Sequence, residues 1–185
     1  EDVRDTLRTD PAISNFFKLD VNHVQQRIAA LPWVYQASVR KRWPALLYVY
    51  VIEQSPRALW GEDRLLTDRG GIIKVPLERL KRPLVRLSGP DDMADRIWEE
   101  YKNYERILAL NGYHIESMNL TKRHSWEVKI KDGPLLILGR ADTGERLQRF
   151  IDVYPKLDPR EQIAYLDLRY DTGFAVGWKP IEGTG

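Results

Sequence analysis

The sequence predicts an α+β protein in two parts. A small helix–helix–strand–strand unit comes first, and a mixed β-sheet domain with flanking helices follows. Three observations carry this reading. The hydrophobic period changes from helical to strand-like after Leu31-Pro32. A second block of short, glycine-punctuated strands begins beyond Gln54-Ser55-Pro56. Two more amphipathic helices are then interleaved with the later strands. The N-terminal domain is placed at residues 1–56 and the C-terminal β domain at 57–185.

Val3 and Leu7 are spaced for a first helix, which Asp10-Pro11 stops. Asp20 can cap the next, with Leu19 and Val24 placed as a hydrophobic staple and Val21, Val24 and Ile28 as the buried stripe. Trp33 to Arg40 alternates as a half-buried strand, Arg40-Lys41-Arg42-Trp43-Pro44 reads as a basic turn, and Leu46–Glu53 is apolar on both faces, the mark of a central strand. Two strands are thin support for two helices, so a first strand is expected ahead of Glu1. In the second part, strands are expected at Ala58–Trp60, Leu65–Thr67 and Ile72–Val75. A helix striped by Ile97, Tyr101, Tyr104 and Leu108 follows, ending at Asn111-Gly112. Strands near Ile115–Leu120, Trp126–Lys131 and Leu135–Leu138 lead to a helix opened by Asp142 and Glu145 at capping-box spacing. Leu147, Phe150, Ile151 and Tyr154 form its apolar stripe, and strands Ala164–Leu168 and Phe174–Trp178 close the chain.

Composition narrows the function. Of 185 residues, 43% are hydrophobic and 30% charged, as in folded domains. A net charge of +2 is too slight to argue for nucleic acid or an acidic membrane. With no cysteine there is no disulfide framework, thiolate metal site or Cys nucleophile. The run Leu46–Ile52 is far shorter than the ~20 residues of a membrane helix. No signal-peptide pattern is read, so any membrane anchor is expected outside this stretch of chain.

Candidate sites have bland readings beside them. Gly139 to Gly144 precedes a helix but lacks the Gly-Lys-Ser/Thr ending of a phosphate loop, and helix capping explains it. His23, His114 and His124 share no ligand spacing, the serines lack a nucleophile elbow, and no carboxylate pair converges. No catalytic residue, cofactor or metal is therefore assigned. Seven basic residues between Arg64 and Arg86 face only Asp68 and Glu78, and without interleaved aromatics they read as a solvated face. The last strand says more. Phe174, Val176 and Trp178 point one way, while Ala175 and Gly177 leave the other face low and accessible. Its edge either accepts a strand from a partner or is masked by the tail Lys179–Gly185 or by dimerisation.

Leu31-Pro32-Trp33-Val34, the run Ala37 to Pro44, and Glu53-Gln54-Ser55-Pro56 resemble the POTRA domain of the bacterial FtsQ/DivIB cell-division family. The resemblance continues collinearly through Leu138 to Thr143, Arg146 to Phe150, Tyr154-Pro155, Asp167 to Gly173 and Ala175 to Trp178. It implies a single-pass inner-membrane protein of the division septum, with this region in the periplasm. It also implies a βααββ POTRA domain, agreeing with an absent first strand, followed by the β domain. Members are non-enzymatic scaffolds: the β domain binds FtsB and FtsL, and the POTRA domain serves recruitment through proteins such as FtsK. FtsB adds a strand to the last strand of the β domain. By motif, Arg123 and Arg169 fall on arginines that pair with FtsB carboxylates, and Tyr170, Thr172 and Gly173 on the surface leading into the edge strand. Phe174 and Val176 lie in that strand, with Trp178 near its end. Phe174 is bulky where relatives carry a small residue, implying a smaller side chain opposite if the position borders the partner's pocket. The competing readings are a POTRA-containing envelope chaperone or assembly module, whose tandem units and membrane barrel are not read here, and an envelope enzyme, for which no catalytic pair is found.

Overall fold

Asp20 opens the first well-capped helix as its position predicts, its carboxylate accepting from the Asn22 amide at 2.9 Å. In this computed structural model, which describes residues 3–8, 19–77, 80 and 83–180, that helix is α2 (Val21–Ala29), preceded by the short α1 (Val3–Arg8). Leu19 and Val24 are both buried, as the staple requires, and Ile28 completes the stripe. These side chains pack on one face of a hairpin formed by β1 (Val34–Arg42) and β2 (Leu46–Glu53), meeting Ala37 and Val39. The basic residues Arg40–Arg42 belong to β1 rather than to the turn. The Asp10-Pro11 stop lies outside the described residues.

Among the described residues β2 pairs with β1 alone. Its apolar character on both faces has a visible consequence. Leu47, Val49 and Val51 pack toward the helices, while Leu46, Tyr48, Tyr50 and Ile52 stand exposed on the opposite face.

Among the described residues the second sheet has nine strands in the order β11-β10-β9-β8-β7-β6-β3-β4-β5. In chain order they are β3 (Pro56–Trp60), β4 (Arg64–Thr67), β5 (Ile72–Lys74), β6 (Arg86–Ser88), β7 (Ile115–Leu120), β8 (Trp126–Ile130), β9 (Leu135–Gly139), β10 (Ile163–Asp167) and β11 (Ala175–Trp178). β6, which its three-residue length hides in the sequence, pairs in parallel with β3 on one side and β7 on the other. Two helices, α3 (Ala94–Ala109) and α4 (Thr143–Val153), supply the stripes that meet the sheet's apolar side chains in one core. Ile97, Tyr104 and Leu108 of α3 and Leu147, Phe150 and Ile151 of α4 are buried there.

One local expectation changes. Asp142 adopts a left-handed backbone (φ 55°) and makes no side-chain cap bond, so the capping box does not form. A side-chain cap needs an extended N-cap backbone, which the sharp exit from β9 through Gly139 (φ 77°) denies it. The stretch from Arg64 keeps Arg69, Lys74 and Arg86 exposed, as a solvated face requires, and adds surface pairings. Arg64 donates twice to the Asp91 carboxylate, at 2.6 and 3.1 Å, and the Trp60 indole N–H donates to it at 2.8 Å. The Arg64 bonds, followed by that of Trp60, hold the Asp91 carboxyl below its ordinary range. Arg69 stacks over the Tyr35 ring at 3.7 Å. Arg79, Lys81 and Arg82 lie outside the described residues.

Phe150 fixes α4 to the core, its ring 5.0 Å from those of both Tyr113 and Tyr154. Truncation there leaves a cavity between aromatic neighbours that cannot all collapse inward. Phe150→Ala is expected to lower the unfolding free energy by about 3–5 kcal/mol in urea denaturation.

Candidate functional site

β11 ends the sheet. It runs antiparallel to β10, which in turn lies parallel to β9. The Lys179 amide donates back to the Gln162 carbonyl at 2.7 Å. Strand alternation then turns Gly177 and Ala175 inward toward β10, and the main-chain N–H and C=O of Val176 and Trp178 outward. These outward groups meet no strand among the described residues.

Side chains divide differently. Phe174 and Val176 are half-buried and pack on the core, so the bulk of Phe174 is absorbed inside the domain. Tyr170 (56%) and Trp178 (52%) are exposed at the two ends of the segment. The low face expected at Ala175 and Gly177 is partly filled. The Tyr165 ring lies over Gly177 so closely that a Cβ added there would collide with Cε1. An aromatic surface, 42% exposed, therefore borders the edge where the sequence suggested a shallow one.

The chain enters β11 through an irregular loop carrying Tyr170, Thr172 and Gly173. Arg149 of α4 holds this loop, donating to the carbonyls of Tyr170 at 2.6 Å, Asp171 at 2.9 Å and Gly173 at 3.0 Å. Just before it, Arg169 grips the Asp167 carboxylate with Nε at 2.9 Å and Nη2 at 2.6 Å. The Arg169 hydrogen bonds hold the buried Asp167 carboxyl below its ordinary value, against burial, which pushes it up. The same pairing raises the Arg169 guanidinium.

Arg123 projects from the turn between β7 and β8. That turn is closed by Thr121 N–H to Ser125 O at 3.0 Å and Ser125 N–H to Thr121 Oγ1 at 3.1 Å. Arg123 and Arg169 line one shallow depression of about 360 Å³ with Lys122, Glu127 and Ile137. Gly139 lies beside it. Its φ of 77°, and a Cβ position 2.8 Å from Arg146 Nη1 and 3.1 Å from Arg169 Cγ, leave no room for a side chain. Thus Arg123 and Arg169 come together, Tyr170 to Gly173 form the loop, and Phe174 and Val176 face inward. Trp178 stands at the far end. Among the described residues no group of three or more His, Asp or Glu side chains could hold a metal ion. Sequence reasoning missed Arg149 and Tyr165, and it missed the Asp167 pairing, which the two-residue spacing from Arg169 could have suggested.

Comparison with known proteins bears on this arrangement. Residues 58–169 match the C-terminal region described as cell division protein FtsQ/DivIB, and residues 1–54 match the FtsQ-type POTRA domain. The chain belongs to the FtsQ/DivIB family. It is 47% identical over 165 residues to cell division protein FtsQ of Shewanella oneidensis, covering 89% of this chain and 63% of that protein. Identity to FtsQ of Vibrio cholerae is 37% over 180 residues, covering 97% and 69% of the two chains. To FtsQ of Escherichia coli it is 36% over 188 residues, covering 98% and 68%. The chain thus spans about two thirds of the length of these relatives. The matched models describe a POTRA-type domain followed by the C-terminal domain of a cell-division protein family, in keeping with the mixed β-sheet domain seen here. No helix among the described residues is long and apolar enough to cross a membrane.

The Asp167–Arg169 pair gives a pH dependence with a definite sign. Because the folded carboxyl lies below its ordinary value of 3.8, its stabilisation is present above that value and disappears as pH falls through the depressed one. Thermal unfolding should therefore show a steeper loss of midpoint below about pH 4 for the wild type than for Asp167→Asn. Parallel acid limbs in the two proteins would contradict the pairing.

Proposed function

We propose that the chain is a non-enzymatic division scaffold whose C-terminal domain, residues 57–185, receives a segment of FtsB as an added strand on β11, with FtsL held alongside. The observation that supports it is the terminal place of β11, whose outward main-chain groups meet no strand among the described residues. Strand addition satisfies such groups and leaves flanking side chains to select the partner. Tyr170 and Trp178 flank the edge as exposed aromatics. Arg123 and Arg169 offer two guanidinium groups to carboxylates of the incoming chain. Arg169 shares its fork with Asp167, so Arg123 supplies the less encumbered cation. Phe174 and Val176 contribute main chain rather than side chain. In this reading the N-terminal domain, residues 1–56, meets recruiting division proteins such as FtsK. A transmembrane helix preceding it fixes the protein in the inner membrane, with both domains on the periplasmic side at the septum. No nucleic acid, cofactor or metal takes part.

The test is titration calorimetry of this chain with the periplasmic C-terminal segment of the cognate FtsB. Saturable binding is expected. Rim ion pairs contribute little alone, so Tyr170 and the strand main chain carry most of the energy. Tyr170→Ala should weaken binding by about 2 kcal/mol, roughly 30-fold. Near-wild-type affinity in a folded Tyr170→Ala protein would move the contact elsewhere.

A further inference from the structure

We propose that Arg149 is a positioning residue for strand docking, its guanidinium fork setting the 170–173 loop in the shape that presents the edge of β11. The inference rests on the strand-addition reading above. The Leu168 N–H still donates to the Ile137 carbonyl of β9 at 3.0 Å, but from Arg169 to the start of β11 at Ala175 no strand ladder holds the chain among the described residues. Three of its carbonyls converge instead on one side chain. Arg149 Nη1 donates to Tyr170 O at 2.6 Å and to Gly173 O at 3.0 Å, and Nη2 donates to Asp171 O at 2.9 Å.

The helix that carries Arg149 is itself rigidly placed. Leu147, Phe150 and Ile151 bury the opposite side of α4 in the core, and Arg146 donates to the Leu138 carbonyl at the end of β9 at 2.6 Å. The core therefore fixes α4, α4 fixes the fork, and the fork fixes the loop. With its carbonyl held from behind, Tyr170 turns its ring to solvent, where it is exposed. Holding Gly173 sets the direction in which the chain enters β11. A partner strand then meets a preformed edge, and the entropy of ordering the loop is not charged to binding.

A planar, multi-donor fork is what this geometry uses. Lysine keeps the positive charge but offers a compact ammonium on a flexible stem, without the fixed plane that spans separate carbonyls. Arg149→Lys thus separates the fork from the charge. Ile151→Val, a core trimming on the same helix, separates a local loop effect from general loss of stability.

Three readouts are taken on the wild-type chain and both variants: thermal unfolding, backbone amide NMR order parameters, and calorimetry with a synthetic peptide of the proposed FtsB segment. In Arg149→Lys, order parameters at Asp171 to Phe174 should fall from the rigid range of about 0.85 to below about 0.6 with β10 unchanged, and peptide affinity should fall at least tenfold. Ile151→Val should lower the thermal midpoint while leaving loop order and affinity as in the wild type. Unchanged loop order in Arg149→Lys would show that the fork does not hold the loop. A looser loop with unchanged affinity would show that docking does not need the preset shape, and equal losses in Ile151→Val would reduce the effect to stability. Each of these results overturns the proposal. Absence of peptide binding by the wild-type chain would overturn the strand-addition reading and the docking role with it, while the order-parameter comparison would still report whether the fork holds the loop.

Discussion

The parallel pairing of β6 with β3 on one side and β7 on the other makes a single sheet of what would otherwise be two. Only three residues long, β6 closes the ladder with Leu59 N–H to Val85 O at 2.9 Å and Gly61 N–H to Leu87 O at 2.8 Å. Leu87 is fully buried at that joint. Without it, the antiparallel leaf β3-β4-β5 and the leaf running from β7 to β11 would each expose a further edge. Main-chain groups withdrawn from water must be paired. One continuous ladder meets that demand across the sheet's interior and leaves the unpaired groups to its ends.

Everything distinctive about the candidate site follows from β11 being one such end. A terminal strand offers main chain, and this one offers little else. Phe174 and Val176 are committed to the core, while Gly177 is roofed by Tyr165. On the proposed strand-addition reading, selectivity comes from the surroundings: the exposed rings of Tyr165, Tyr170 and Trp178 and the guanidinium groups of Arg123 and Arg169. The arginines of this region serve different ends. Arg146 and Arg149 turn inward to main-chain carbonyls and build the scaffold. Arg169 divides its fork between a buried carboxylate and the depression it shares with Arg123.

Much of this was legible in the sequence, and the reasons are local. Asp20, Leu19 and Val24 declare a helix start within six residues, and the stripes of α3 and α4 are strictly periodic, so burial follows directly. The last strand was legible because Phe174, Val176 and Trp178 alternate with the small Ala175 and Gly177. What stayed hidden depends on contacts distant in the chain or on backbone geometry. β6 is too short to show a period. Arg149 meets carbonyls 21 to 24 residues away, which no spacing rule connects. Asp142 carries the right side chain for a cap but the wrong backbone. Tyr165 reaches Gly177 only because the register of β10 and β11 sets them side by side. On β2, apolar residues on both faces suggested a central strand, whereas its outer face is open among the described residues.

The most direct test of strand addition is amide hydrogen exchange along β11, with and without the proposed FtsB segment. The N–H groups of Val176 and Trp178 point outward, whereas those of Gly177 and Lys179 point to β10. The account predicts fast exchange at Val176 and Trp178 in the free protein and strong protection of those two amides on binding, with Gly177 and Lys179 protected throughout. Outward amides already protected in the free protein, or unchanged in the presence of bound peptide, would contradict it.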